Sequence, residues 1–117
     1  MKRSELIKFA QPHYDKTQIE ELKRAVDLAV AKHAGQKRLS GEEYLIHPLS
    51  VATILIEWKM DMDSIIAGVL HDTLEDTGLA LNDIEQAFGK DIAFLVDGVT
   101  QVSKARSGMG DLSSYLP

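Results

Sequence analysis

Leu70 to Thr77 reads LHDTLEDT, and it sets a histidine beside an aspartate with two further carboxylates close behind. At helical spacing Ile65, Val69, Asp72 and Asp76 fall on one stripe, and Glu75 lies next to it, one turn after Asp72. Carboxylates at these spacings repel one another on a helix, and burial adds to the cost. A bound cation relieves both. His71 and Asp72 offer one nitrogen and one oxygen to a divalent metal, which is a donor set that borderline and hard ions accept. A solvated acidic helix end is the ordinary explanation for such a cluster. It leaves unaccounted for the way the acids prolong an apolar line, so the residues favour a metal centre. Gly68, one turn ahead of His71 and Asp72, leaves room for another element to come close.

Two other stretches carry chemistry. His47 precedes Pro48, which suits the first turn of a helix, so His47 is expected as its cap. As a third ligand it would come from a different element than His71 and Asp72, as a rigid three-point site requires. Upstream, Lys37-Arg38-Leu39-Ser40-Gly41-Glu42-Glu43-Tyr44 gathers cations, a hydroxyl, a glycine and an aromatic ring in one irregular stretch. Arginine can stack on a base or grip phosphate, and serine with backbone amides can complete the grip. Taken alone this is an exposed connection; beside His47 it makes a substrate lip. His33 is expected to be structural, at a helix end among terminal carbonyls. His13 is expected at the surface and Trp58 in the core.

The elements that must position these residues are helical. Ser4 to Phe9 suits a short helix. Thr17-Gln18-Ile19-Glu20 has the form of a capping box and opens a helix running to about His33 and stopping at Gly35. The helix after His47 is apolar nearly all round and is expected to be buried. Asp63 is expected to cap the central helix and Gly78 to end it; Asn82 to Glu85 repeats a capping-box pattern, closed by Gly89. Asp91 to about Lys104 forms the last helix, with Ile92, Leu95, Val96, Val99 and Val102 inside. Residues 105–117 contain Ser107, Gly108, Gly110, Ser113 and Ser114 and are expected to form a flexible tail. No alternating strand pattern occurs, so the fold class is all-α, with residues 1–104 as one domain.

Composition bounds the function. The 117 residues suffice for one core and not for two. Hydrophobic residues make up 44% and charged residues 26%, as in an ordinary soluble domain. A net charge of −5 argues against broad attraction to nucleic acid or an anionic membrane. The absence of cysteine excludes disulfides and thiolate zinc sites. Cytoplasm is the expected location.

Taken in order, Ala31-Lys32-His33-Ala34-Gly35-Gln36-Lys37-Arg38, Ser40-Gly41-Glu42 with Tyr44, His47-Pro48-Leu49 with Val51-Ala52, Leu70-His71-Asp72-Thr73 with Glu75-Asp76-Thr77, Phe88-Gly89 and Leu95-Val96-Asp97-Gly98-Val99-Thr100 resemble the HD-domain hydrolase module of the Rel/SpoT family. Those enzymes make and degrade the stringent-response alarmone (p)ppGpp. The similarity runs from about Gln18 to Lys104. It implies an HD-domain helical bundle and a manganese-dependent hydrolase that removes the 3′-pyrophosphate of ppGpp or pppGpp. In that pattern His47, His71 and Asp72 match metal ligands for Mn²⁺, while Glu75 and Asp76 match the carboxylates that position and activate water. Lys37, Arg38, Ser40 and Tyr44 match the nucleotide-binding stretch, with Arg38 against the guanine.

The departures are specific. The family's further aspartate ligand, in a later helix, has no counterpart here, and Asp111 is a poor substitute. Leu39 stands where a basic residue is usual and Glu43 where proline is frequent. On this reading the chain is the front part of an HD domain, truncated at its C-terminal end, with apolar surface through which copies would self-associate. Two further functions stand beside hydrolysis of ppGpp. One is a non-catalytic HD fragment that binds metal or nucleotide weakly or mediates association; the other is an HD hydrolase acting on another nucleotide or on NADPH.

Overall fold

In a computed structural model of the chain, residues 2–34 and 46–109 are described, those at 46–48 and 102–109 by backbone only. Six α-helices appear among the described residues, and no strand: α1 (Arg3–Ala10), α2 (Lys16–Lys32), α3 (Ile46–Glu57), α4 (Met62–Thr77), α5 (Leu81–Phe88) and α6 (Lys90–Met109), with a 3₁₀ turn at Gln11–His13. The all-α expectation holds.

Helix α4 is the centre of the bundle and packs against α2, α3 and α6. Its Ile65, Ile66, Val69 and Leu70 are fully buried, and they meet Leu22, Val26 and Ala29 of α2, Leu49, Ala52 and Ile56 of α3, and Ile92 and Val96 of α6 in one core. Each such side chain contributes about 1.5–3 kcal/mol by leaving water. The central helix carries the His-Asp pair and is the most firmly held.

Several helix ends differ from the sequence expectation, each for a local reason. Helix α2 is capped by Asp15 rather than Thr17: the Asp15 carboxylate accepts from the Gln18 amide at 2.8 Å, and Gln18 Oε1 accepts from the Asp15 amide at 3.0 Å. Helix α4 is capped by Asp61 rather than Asp63, with the Asp61 carboxylate accepting from both the amide and the hydroxyl of Ser64. Gly78 ends α4 as expected, in the left-handed conformation at φ 76°. Helix α5 starts at Leu81, with the Asp83 carboxylate taking the Ala80 amide. Helix α6 runs to Met109, past Lys104; Ala105 and Arg106 are good helix formers and prolong it.

Burial also departs in places. Trp58 is 70% exposed rather than in the core, because it follows the last turn of α3. Ile54 on α3 and Val99 on α6 are exposed too, so α3 is not buried all round. His13 lies at the surface as expected.

Candidate metal centre

The functional side chains sit on the last two turns of α4. His71 and Asp72 are each half-buried, at 18% side-chain exposure, whereas Glu75 and Asp76 are exposed. The acidic stripe is therefore half-buried at Asp72 and open at Asp76. It is Thr73, fully buried, that carries the core line past Val69 and Leu70.

His71 is fixed at both ring nitrogens. Nδ1 lies 2.8 Å from the Gly68 carbonyl oxygen, and Nε2 lies 3.1 Å from Oδ1 of Asp72. A carbonyl only accepts, so Nδ1 carries a proton and donates it there. Nε2 then faces the carboxylate. The Asp72 hydrogen bond and charge hold the His71 pKa above its ordinary 6.5 against the opposing pull of burial, with the Gly68 carbonyl and Glu75 acting in the same direction as Asp72. A histidine whose far nitrogen is tied to a backbone carbonyl, with its near nitrogen beside an aspartate oxygen, is a common arrangement for a metal-ligating pair.

Field and packing agree with that use. Asp72, Glu75 and Asp76 crowd the C-terminal end of α4, where the helix dipole is already negative, and no basic residue occupies that turn. The potential there favours a cation. Gly68 lets α3 approach as expected: a Cβ on it would stand 3.0 Å from Leu55 Cδ1 and 3.7 Å from Val51 Cγ1. Beside it opens an apolar cleft of about 280 Å³ between α3, α4 and α6, bordered by Val51, Leu55, Gly68, His71, Leu95 and Val99. One wall of a site is thus in contact with His71.

Among the described residues no group of three or more His, Cys, Asp or Glu side chains converges on one point. His71 and Asp72 come together; the expected third ligand, His47, lies in the first turn of α3, inside the helix rather than at its cap, and its side chain is outside the described residues. Lys37, Arg38, Ser40 and Tyr44 also lie outside them.

The contact that sequence reasoning missed is between His33 and Thr73. His33 is buried at the C-terminal cap of α2, and its Nε2 lies 3.2 Å from Oγ1 of Thr73, one residue beyond Asp72. Both residues stand in the stretches that carry the family resemblance, which was the available signal.

This all-helical bundle, with its His-Asp pair on the central helix, belongs to the HD domain family, which the chain matches over residues 25–113. Membership implies a divalent metal. Among curated relatives, the chain is 49% identical over 96 residues to the guanosine-3′,5′-bis(diphosphate) 3′-pyrophosphohydrolase of Aquifex aeolicus, covering 82% of this chain and 14% of that protein. It is 44% identical over 96 residues to the bifunctional (p)ppGpp synthase/hydrolase SpoT of Escherichia coli, with the same coverage. To the GTP pyrophosphokinase of Streptomyces coelicolor it is 42% identical over 103 residues, covering 88% of this chain and 12% of that one. The chain thus spans 12–14% of the length of these relatives. No helix among the described residues is long and apolar enough to cross a membrane.

Proposed function

We propose that this chain is a Mn²⁺-dependent HD hydrolase that removes the 3′-pyrophosphate of ppGpp and pppGpp. The observation that carries the reading is the His71 ring, with Nδ1 donating to Gly68 and Nε2 set against Asp72 Oδ1. The relatives' names cover both formation and cleavage of the alarmone. A donor pair with carboxylates one turn away suits cleavage, which needs a water molecule and a proton acceptor beside it.

His71 and Asp72 would hold the ion, with His47 as the third ligand. Bound there, Mn²⁺ would supply activation of the attacking water and neutralisation of charge on the phosphoryl oxygens. Glu75 and Asp76, exposed on the next turn, would orient the attacking water and take its proton. Arg38 stacks on or grips the guanine, and Lys37, Ser40 and Tyr44 complete the nucleotide contacts. A chain of net charge −5 would otherwise repel so anionic a substrate, so turnover depends strictly on the metal. A nucleotide substrate of this kind puts the protein in the cytoplasm.

The test is a substrate panel with Mn²⁺: ppGpp, pppGpp, NADPH and ordinary nucleoside triphosphates, followed by product analysis. Release of pyrophosphate with GDP from ppGpp is expected. Turnover of NADPH or a triphosphate in preference to ppGpp would move the assignment to another HD hydrolase.

A further inference from the structure

Resting on the hydrolase reading, we infer that His33 and Thr73 form a positioning pair that fixes the turn of α4 carrying Asp72, Glu75 and Asp76 against the end of α2. His33 caps the last turn of α2, four residues before Lys37 in the chain. It is buried at that helix end. Thr73 directly follows Asp72 on α4 and is wholly buried. The 3.2 Å contact between His33 Nε2 and Thr73 Oγ1 spans forty residues of sequence. It joins the C-terminal end of α2 to the turn of α4 that carries the His71-Asp72 pair.

Apolar packing alone resists separation of two helices better than it resists sliding, because it is non-directional. A buried hydrogen bond adds direction, and leaving either partner unmet in this place is costly. Thr73 is further tied into α4 because its carbonyl accepts from the Thr77 hydroxyl at 2.6 Å. Movement at Thr73 is thereby coupled to the turn that carries Glu75 and Asp76. Neither His33 nor Thr73 touches substrate on this view. They act through others.

The experiment measures hydrolysis of ppGpp and Mn²⁺ binding in Thr73→Val, Thr73→Ser and His33→Gln, with thermal melting as a control. Valine keeps the shape of threonine and removes the hydroxyl; serine keeps the hydroxyl. Misplacement on the order of an ångström costs up to about a hundredfold in rate, so kcat in Thr73→Val and His33→Gln is expected to fall at least about tenfold. KM and the Mn²⁺ dissociation constant should change less than about threefold, and Thr73→Ser should restore kcat. A folded Thr73→Val chain with unchanged kcat overturns the inference, as does a Thr73→Ser chain no better than Thr73→Val. An unmutated chain that fails to hydrolyse ppGpp overturns the hydrolase reading itself, and this inference with it.

Discussion

His71 and Asp72 are neighbours in sequence, and Nε2 of the one lies 3.1 Å from Oδ1 of the other while Nδ1 is held by Gly68. Adjacent side chains on a helix point about 100° apart, so this approach depends on the carbonyl that turns the ring. Asp72→Asn keeps the size and removes the charge. If Asp72 is a direct ligand as proposed, the change should weaken Mn²⁺ binding by at least about ten- to a hundredfold, the range known for partners that only support a ligand. Isothermal titration with Mn²⁺ measures this; an unchanged dissociation constant would remove Asp72 from the site.

Gly68 is a point of close approach between α3 and α4. In Gly68→Ala the methyl group meets the far end of Leu55 at 3.0 Å, a tight contact that a half-buried side chain can relieve by turning. The gain in helix propensity, about 1 kcal/mol, offsets it. Gly68→Val adds branches that must displace α3 and should cost about 1–3 kcal/mol more than alanine. Urea midpoints of the two variants compare them directly, and equal midpoints would contradict the close packing.

Lys59 is the one non-glycine residue with positive φ among the described residues, at 55°. It closes α3 in a Schellman motif: the Met60 amide donates to the Leu55 carbonyl and the Lys59 amide to that of Ile56. A left-handed residue with a Cβ is strained by about 1–2 kcal/mol, which glycine avoids at some cost in chain entropy. Lys59→Gly should therefore raise stability by about 0.5–1 kcal/mol, read from thermal or urea melts.

The start of α4 responds to pH from both sides. The Asp61 carboxylate, accepting from the Ser64 hydroxyl and amide, is held below its ordinary 3.8. A depressed acid stabilises the fold above that value, and the contribution is lost as pH falls through the lower folded pKa. The Tyr14 hydroxyl, which donates to the Met60 carbonyl at 2.6 Å, is raised above 10.0 by burial and by Asp61. Its contribution is complete below 10.0 and is lost as pH rises through the higher folded pKa. In Asp61→Asn the acid-side loss between pH 4 and lower values should shrink, and in Tyr14→Phe the alkaline loss should shrink, each as measured by urea titration across pH. Unaltered profiles would contradict these contacts.

Helix type and order were readable because Leu22, Val26 and Ala29, or Ile65 and Val69, repeat at helical spacing and bury as that spacing demands. The caps were less readable. Asp15, Thr17, Asp61 and Asp63 are all competent acceptors, and only geometry chooses among residues two positions apart. Trp58 misled because size argues for burial while its place after the last turn of α3 decides against it. At the site, the His71-Asp72 pairing and the close approach at Gly68 followed from the sequence. The exposure of Asp76 did not, because a stripe continued by helical spacing says nothing of where the neighbouring helices stop covering it. For the His33-Thr73 contact the sequence marked both residues, within the stretches that carry the resemblance, but not their pairing, which depends on how α2 lies across α4.

If His71 and Asp72 hold a metal with which this chain cleaves ppGpp, hydrolysis must depend on both the ion and the His71 ring. Pyrophosphate release from ppGpp should be followed with and without Mn²⁺, in the unmutated chain and in His71→Ala. The account predicts turnover that requires Mn²⁺, is abolished by chelation and falls at least about a hundredfold in the variant. Turnover that persists in His71→Ala, or that proceeds equally well without metal, would contradict it.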